Sequence, residues 1–577
     1  MKEILQKEIE NILQDLGVQN PKVSFDYPAR MDFGDLSTNV AMVYAKELSK
    51  NPLELSNEIK EILAHTQCAQ VWKIEAVAPG FINFYFDAEY FGKNIEKILK
   101  DGPAFAKGFS LAKQKVIIEY TVTNVLKPMH IGHLLGNVIG ESISRIIENS
   151  GAEVKRNNYQ GDSGLHVAKA VWGILKLGGK KEGSTVEKSD YIGNSYVKGA
   201  QAYDDDKQSK TEIKEINKKL FEKSDSELLD LYQWGRQVSL NHFEELYKKL
   251  GTKFNFYFFE SEVTESALQV VREFVKKGLF EESDGAVVFH GEKYDPKLHT
   301  RVFITSEGFP TYEAKDIAHA LRKYEKYPFD TAIIVTANEQ DEYFKVMFRA
   351  LQEISPEIAS KTQHISHGLL KLSSGKMSSR TGSVISAESL IEQVKEKIRD
   401  KMNTREDMSR GILDIEEVAE TVAIGAIKYS ILRQAIGGDI IFDFDKSLSF
   451  EGDSGPYLQY AAVRANSLLK KTEGVSRGRA LGNLDTECPS GWVTTNMERL
   501  IERFPNVVEK AGQEYAPHYI VTYLVELAGE FNSFYANHKI IDANDGTSPY
   551  RLALTKAFAN VMTSGLNLLG IKVPSYM

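Results

Sequence analysis

A chain of 577 residues is longer than one hydrophobic core can organise, so roughly two to four domains are expected. Its 42% apolar and 26% charged content is that of an ordinary globular protein, and a net charge of −9 with a pI near 5.9 does not advertise a nucleic-acid binder; any RNA contact must rest on local basic patches. No apolar run reaches membrane-spanning length, the opening Met-Lys-Glu-Ile-Leu-Gln-Lys lacks a signal-peptide core, and Cys68 and Cys488 have no metal-binding spacing, so a reduced, cytoplasmic, zinc-free protein without a membrane partner is expected.

In chain order, Ile4, Leu5, Ile9, Ile12, Leu13 and Leu16 recur at helical spacing, and Val71–Phe86 closes on the strand pattern Phe81–Phe86. Residues 1–100 therefore read as a small α/β domain, and the Gly/Pro/Lys-rich stretch Asp101–Lys115 reads as a linker. Over 112–400, short apolar strands (Val116–Tyr120, Arg301–Thr305, Thr331–Val335) alternate with helical patterns, which predicts a Rossmann-like parallel sheet covered by helices. The charge-rich helical stretch at about 180–249, with Asp204-Asp205-Asp206, reads as a solvated insertion. From 410 to 577, strand signals fade, and Glu416–Leu432, Tyr457–Lys471, Tyr515–His538 and Tyr550–Leu569 predict an α-helical bundle.

Two short stretches carry chemistry. The first, His130-Ile131-Gly132-His133, follows Val116-Ile117-Ile118 and Pro128 and precedes the helical pattern Leu134, Val138, Ile139, Ile143, Ile146 and Ile147. Strand, loop and helix in that order place two imidazoles at a helix N-terminus, where free N–H groups and the helix dipole suit a phosphate. Gly132, lacking Cβ, lets a flat base approach the backbone. The second stretch is Gly375-Lys376-Met377-Ser378-Ser379-Arg380. A lone histidine is more often structural, and a basic Gly/Ser loop is usually just solvated; the two together, in this order around an α/β region, leave little room for coincidence.

The pair resembles the HIGH and KMSKS motifs of class I aminoacyl-tRNA synthetases, and other segments narrow the resemblance to the arginyl-tRNA synthetase family. Glu119–Pro128 resembles that family's run before its HIGH motif, and Asn158–Gly164 resembles its Asn-His-Val-Gly-Asp-Trp-Gly segment. Pro310–Ala318 is similar to its Tyr-x-x-x-Asp arginine pocket. Gly455–Ala461 and Leu566–Met577 resemble its anticodon-binding bundle, and Arg30–Asn39 and Pro79–Phe86 its N-terminal additional domain, so the likeness spans essentially the whole chain. Departures are Leu135 where the family usually has Arg, Tyr159 and Ser163 in place of His and Trp, and Arg380 in a shortened loop motif.

The resemblance implies a monomeric, cytoplasmic ligase that activates L-arginine with ATP, carrying its own Mg2+, and transfers it to tRNA(Arg). His130, His133 and Lys376 would be catalytic, and Lys127, Gly132, Met377 and Ser378 would join them around ATP. A planar guanidinium asks for acidic groups. On spacing alone Tyr312 and Asp316 share a helix face, and the Asp reads more readily as a capping or surface residue. The resemblance assigns Tyr312, Asp316 and Glu260 to the guanidinium, and Glu119, Asn124 and Gln340 to the α-amino end. It also assigns Tyr460, Tyr535 and Met577 to anticodon bases and Asn83 and Phe84 to the tRNA elbow, although aromatics at helical spacing are usually core. Alternatives are another class I synthetase, a catalytically silent tRNA-binding paralogue, and a small nucleotidyltransferase.

Overall fold

The computed structural model describes residues 1–28, 30–66, 70–373, 385–403, 415–473 and 484–577. The chain divides into two compact units, one of Met1–Phe105, Arg464–Pro505 and Glu526–Thr563, the other of Ala106–Val463, Asn506–Val525 and Ser564–Met577. No helix among the described residues is long and apolar enough to cross a membrane.

The first unit holds an antiparallel sheet of β1 (Leu36–Thr38), β2 (Val71–Val77) and β3 (Phe81–Phe86), with β3 central. Helices Lys2–Asp15 and Pro52–His65 cover it with Leu5, Ile9, Leu55 and Ile59, and Ile82 and Phe84 fill the space from the strand side. Pro52 at the first helical position has no N–H to satisfy, and the Asn51 side chain accepts from the Leu53 N–H, so the start of the second helix is capped. Asp35 is buried; it accepts from the Phe86 N–H at 2.8 Å and meets Arg499 Nε at 3.3 Å, so the helix Asn496–Gln513 contributes its first turns to this unit. That helix escapes the periodicity reading because Pro505 lies inside it.

The second unit is built on a parallel sheet of β4 (Lys115–Glu119), β5 (Glu153–Gln160), β6 (Phe256–Phe259), β10 (Thr331–Ala337) and β11 (Thr362–His367), in the order β11-β10-β4-β5-β6. Strand order reverses at β4, and the crevice at the carboxyl ends of β4 and its neighbours is the place such sheets keep for ligands. Val116, Ile117 and Ile118 are buried, as a central strand covered on both sides requires. Alternate residues of β5 serve the two faces: Asn157 donates to Glu119 at 2.6 Å, whereas Asn158 donates to Tyr247 at 3.0 Å.

Two expectations are corrected. Arg301–Thr305 is not part of the parallel sheet; it lies in β9 (Thr300–Ile304), which pairs antiparallel with β8 (Ala286–His290), itself paired to β7 (Glu281–Ser283). A single strand's composition does not reveal its partner. The charged stretch at about 180–249 is not a purely solvated insertion. Its last helix, Ser226–Leu250, buries Phe243, Leu246 and Tyr247, and the Tyr247 hydroxyl lies 3.0 Å from Thr123 Oγ1. The abundant charge lies on the outer faces and hides an ordinary amphipathic pattern.

A buried lysine ties three helices of this unit. Lys428, on helix Ile415–Leu432, donates to the carbonyls of Leu250 and Gly570 at 2.6 Å each, both at the C-terminal ends of helices where acceptors are left over. Burial, with Arg145 nearby, pulls its pKa down to about 7. A lowered folded-state pKa means that the folded chain binds fewer protons than the unfolded chain between about pH 7 and 10, so this residue's contribution rises with pH across that window and is smallest below it. Lys428→Met should cost about 1–3 kcal/mol at pH 9 by leaving two carbonyls without a donor, and less at pH 7. Urea unfolding of both proteins at the two pH values checks this; a difference independent of pH would refute the titration.

Candidate active site

A cavity of about 590 Å³ opens at the carboxyl ends of β4, β5 and β10. Its floor includes Glu119, Thr121, Val122 and Asn124 from the end of β4 and the loop beyond it. Thr121, Val122 and Leu126 adopt left-handed backbone (φ +77°, +49° and +58°), a conformation that costs a β-branched residue about 1–3 kcal/mol and persists only where the surroundings enforce it. Here Gly161 N–H donates to the Thr123 carbonyl, Val125 N–H to the Gly161 carbonyl, and Leu126 N–H to Ser239 Oγ.

At one end of the cavity the helix Ile131–Asn149 begins. His130 is its N-cap: its Nδ1 accepts from the Gly132 N–H at 3.1 Å, and its own N–H donates to His133 Nδ1 at 3.2 Å. The two rings stack with centroids 3.6 Å apart. Because both Nδ1 atoms accept, each neutral ring carries its proton on Nε2. Burial, reinforced by Lys127, pulls His130 down to about 4; burial, then His130 and Lys127, pull His133 well below the ordinary imidazole value. Both imidazoles are therefore neutral Nε2–H donors at physiological pH, held at the positive end of a helix dipole.

The other end is acidic. Glu119 is buried and its Oε2 accepts from Asn157, from His319 Nε2 at 2.6 Å and from Lys323 Nζ at 3.0 Å. Burial would raise its pKa, but Lys323 and His319 together hold it well below the carboxylate range. Glu260, also buried, accepts from Lys315 Nζ at 2.9 Å and from Ser163 Oγ at 3.1 Å; burial outweighs Lys315 and raises its pKa. Asp316 differs: it has no basic ion-pair partner among the described residues, only the Tyr343 hydroxyl, which donates to Oδ2 at 2.5 Å. Burial, with Glu119 and Glu260 nearby and against the Tyr343 hydrogen bond, pushes it up to about 8. Tyr312 lies one turn earlier on the helix Tyr312–Lys326, its ring 56% exposed at the cavity.

Of the residues singled out in the sequence, His130, Gly132, His133, Glu119, Asn124, Glu260, Tyr312, Asp316 and Gln340 all line this one cavity. Lys127 is not in its lining; its ammonium lies 5.4 Å over the Tyr196 ring and acts on the histidines only through its field. Lys376, Met377, Ser378 and Arg380 lie outside the described residues, as does Cys68. Asn83, expected at the tRNA elbow with Phe84, is buried and accepts from Ser37 Oγ at 2.6 Å, and Phe84 is wholly buried edge-on to Phe25, so both side chains take part in the packing of the first unit's sheet. Tyr535 is 40% exposed with Arg464 5.1 Å over its ring, and Tyr460 and Met577 are partly exposed. The sequence reading missed Lys315, His319, Lys323 and Tyr343. The signal was there: Lys315, Asp316, His319 and Lys323 share a stripe at helical spacing on a helix whose stripe should face a core.

The family model described as tRNA synthetases class I (R), catalytic domain, matches residues 94–444. The chain belongs to the arginyl-tRNA synthetase family. The arginyl-tRNA synthetase N-terminal domain model matches residues 1–86, and the DALR anticodon binding domain model matches 458–577. An arginine–tRNA ligase of Ligilactobacillus salivarius is 32% identical over 551 residues, 95% of each chain, and one of Fusobacterium nucleatum is 31% identical over all of this chain and 98% of its own. Among solved structures, the Thermus thermophilus arginyl-tRNA synthetase shares the fold over the full length of both chains, with a TM-score of 0.80 at 24% identity.

For an arginyl-tRNA synthetase with this cavity, Gly161 is a position where any Cβ must displace the Asn124 side chain. A Cβ there would lie 2.1 Å from Asn124 Oδ1 and 3.2 Å from Glu260 Oε1. Gly161→Ala should displace Asn124 by about an ångström and lower kcat/KM for arginine about a hundredfold, the usual effect of such a misplacement. Steady-state aminoacylation by a variant with unchanged circular dichroism checks this, and wild-type kinetics would contradict it.

Proposed function

We propose that the cavity is where this enzyme, which charges tRNA(Arg) with arginine, performs both halves of its reaction. ATP is the energy source of the class. The arginine carboxylate, already ionised, attacks the α-phosphorus in line, giving arginyl-adenylate and pyrophosphate, and the terminal ribose hydroxyl of tRNA(Arg) then attacks the adenylate's carbonyl carbon, taking the arginyl group as an ester while AMP leaves and the hydroxyl proton is lost. Such a displacement asks the protein for positioning and charge stabilisation more than for covalent chemistry.

His130 and His133 donate from Nε2 to phosphate oxygens as charge builds in the transition state. A neutral donor at that place has an advantage over an imidazolium, since it does not hold ATP equally tightly before reaction. Lys376 neutralises the departing pyrophosphate as a point charge, with Met377 and Ser378 beside it in sequence, and Lys127 adds field from outside the cavity. Magnesium is assigned to the phosphates with which it arrives.

The observation that carries the assignment of arginine is the charge balance at the acidic end. Glu119 and Glu260 each have a lysine; among the described residues Asp316 has none, and burial pushes its pKa up to about 8. A guanidinium entering beside Asp316 supplies the missing cation, and its planar N–H fork suits a carboxylate. Tyr312 offers a ring edge and hydroxyl, and Glu119, Asn124 and Gln340 face the α-amino end, where Oε1 of Glu119 is left over from the three bonds to Oε2. We assign anticodon contacts to Tyr460, Tyr535 and Met577, with regions 1–100, 112–400 and 410–577 as tRNA-binding, catalytic and anticodon-binding parts of a monomeric cytoplasmic enzyme.

Amino acids offered singly with ATP and tRNA test the assignment. Arginine alone should be attached; Asp316→Asn should abolish attachment at micromolar arginine, and His133→Ala should lower the adenylation rate about a hundredfold or more. Because arginine binds the ionised form of a carboxyl whose pKa is raised to about 8, its KM should rise as pH falls below 8, approaching about tenfold per unit, with a proton released on binding near pH 7. Calorimetry in buffers of different ionisation heat reads that proton directly. A KM independent of pH between 6.5 and 8.5 would remove Asp316 from the guanidinium site.

A further inference from the structure

Tyr159 stands in β5 where the resembled segment usually has His, and the functional reading above gives it nothing to do. It lines the cavity and is 5% exposed; its ring stacks on His319, centroids 3.9 Å apart and planes 6° apart. Its hydroxyl is buried and has no hydrogen-bond partner among the described residues. A buried hydroxyl left unpaired is destabilising, so a role for it in another state of the site is the economical explanation. Burial, followed by Asp316, Glu260 and Glu119, raises its pKa well above the usual phenol value, so it is an O–H donor at every working pH, and Asp316 is the carboxyl that bears on it most.

We propose that Tyr159 is a positioning residue of the guanidinium pocket, donating its O–H to the Asp316 carboxylate whenever that group is ionised, as it is once arginine is bound. This rests on the assignment of Asp316 to the guanidinium. In the free site Asp316 is protonated and already accepts from Tyr343, so it has little call on a second donor. When arginine ionises it, the carboxylate accepts at both oxygens, and Tyr159 is the buried donor without other engagement. The groups that bear on Asp316 are Tyr343 on helix Asp341–Ile354, Glu119 on β4, Glu260 on helix Glu260–Lys276, Lys323 and Tyr312 on its own helix, and Tyr159 on β5. Lys323 and Glu260 keep their own partners and the half-exposed Tyr312 is assigned to the guanidinium, which leaves the buried hydroxyls of Tyr343 and Tyr159 to respond.

Tyr159→Phe keeps the ring and its stacking on His319, so it isolates the hydroxyl. Loss of a hydrogen bond to a charged acceptor should raise the arginine KM about tenfold at pH 7, with kcat at saturating arginine falling less than twofold. With one donor fewer, Asp316 holds its proton to higher pH, so the KM profile shifts alkaline and the deficit shrinks toward pH 9.5. Tyr159→His provides a shorter ring donor and should recover part of the loss. A KM profile for Tyr159→Phe that overlays wild type, while Asp316→Asn abolishes arginine use, would overturn the role of Tyr159 alone and leave the pocket standing. A pH-independent loss in kcat would make Tyr159 a packing residue and equally overturn it. Unimpaired arginine use by Asp316→Asn would overturn the pocket and this inference together.

Discussion

Glu119 ends the central strand of the sheet, and its burial is the condition on which the rest of the site depends. A carboxylate removed from water without compensation is several kcal/mol unfavourable, and here three donors converge on one of its oxygens. Each donor comes from a place that must be fixed for the cavity to exist. Asn157 sits opposite Glu119 in the β4–β5 register, and His319 and Lys323 lie one turn apart on the helix that carries Tyr312 and Asp316. Satisfying Glu119 therefore locks the strand, its neighbour and the substrate helix at one relative height. Removing any one partner would leave a buried charge short of hydrogen bonds, a larger loss than the bond itself.

The histidine end is ordered by a different economy. A helix N-terminus has donors to satisfy, and a His-x-x-His cap satisfies two of them with the rings that chemistry needs. The cap fixes the tautomer, burial keeps the rings neutral, and stacking fixes their planes. One local motif thereby settles helix start, protonation and orientation together. That is why four residues carry so much information: the structural and chemical demands coincide in sequence.

The acidic end shows where such legibility stops. Tyr312, Asp316 and Glu260 could be singled out only through the family resemblance, since spacing alone favours a capping or surface role for Asp316. Their charge partners could not, since Lys315 meets Glu260 across 55 residues and Lys323 meets Glu119 across 204. The parallel sheet and the C-terminal helices were visible in hydrophobic periodicity, which is local. The antiparallel pairing of β9, the helix through Pro505 and the buried face of Ser226–Leu250 were not, because each is decided by a partner distant in sequence.

Charge balance also suggests how the proposed pocket would select arginine from its nearest competitors. In a site with two carboxylates already neutralised, the third stays protonated unless a cation arrives, so an uncharged isostere such as citrulline finds a neutral acid with no gain from ionising it. Lysine brings the charge but as a compact, strongly hydrated ammonium without the planar fork that reaches both oxygens of a carboxylate. Discrimination then depends on two conditions at once: enough charge to expel the Asp316 proton and enough breadth to share the resulting carboxylate with the Tyr343 hydroxyl. A pocket preset with an ionised, fully paired aspartate would meet neither condition selectively, because it would have nothing left for the guanidinium to complete.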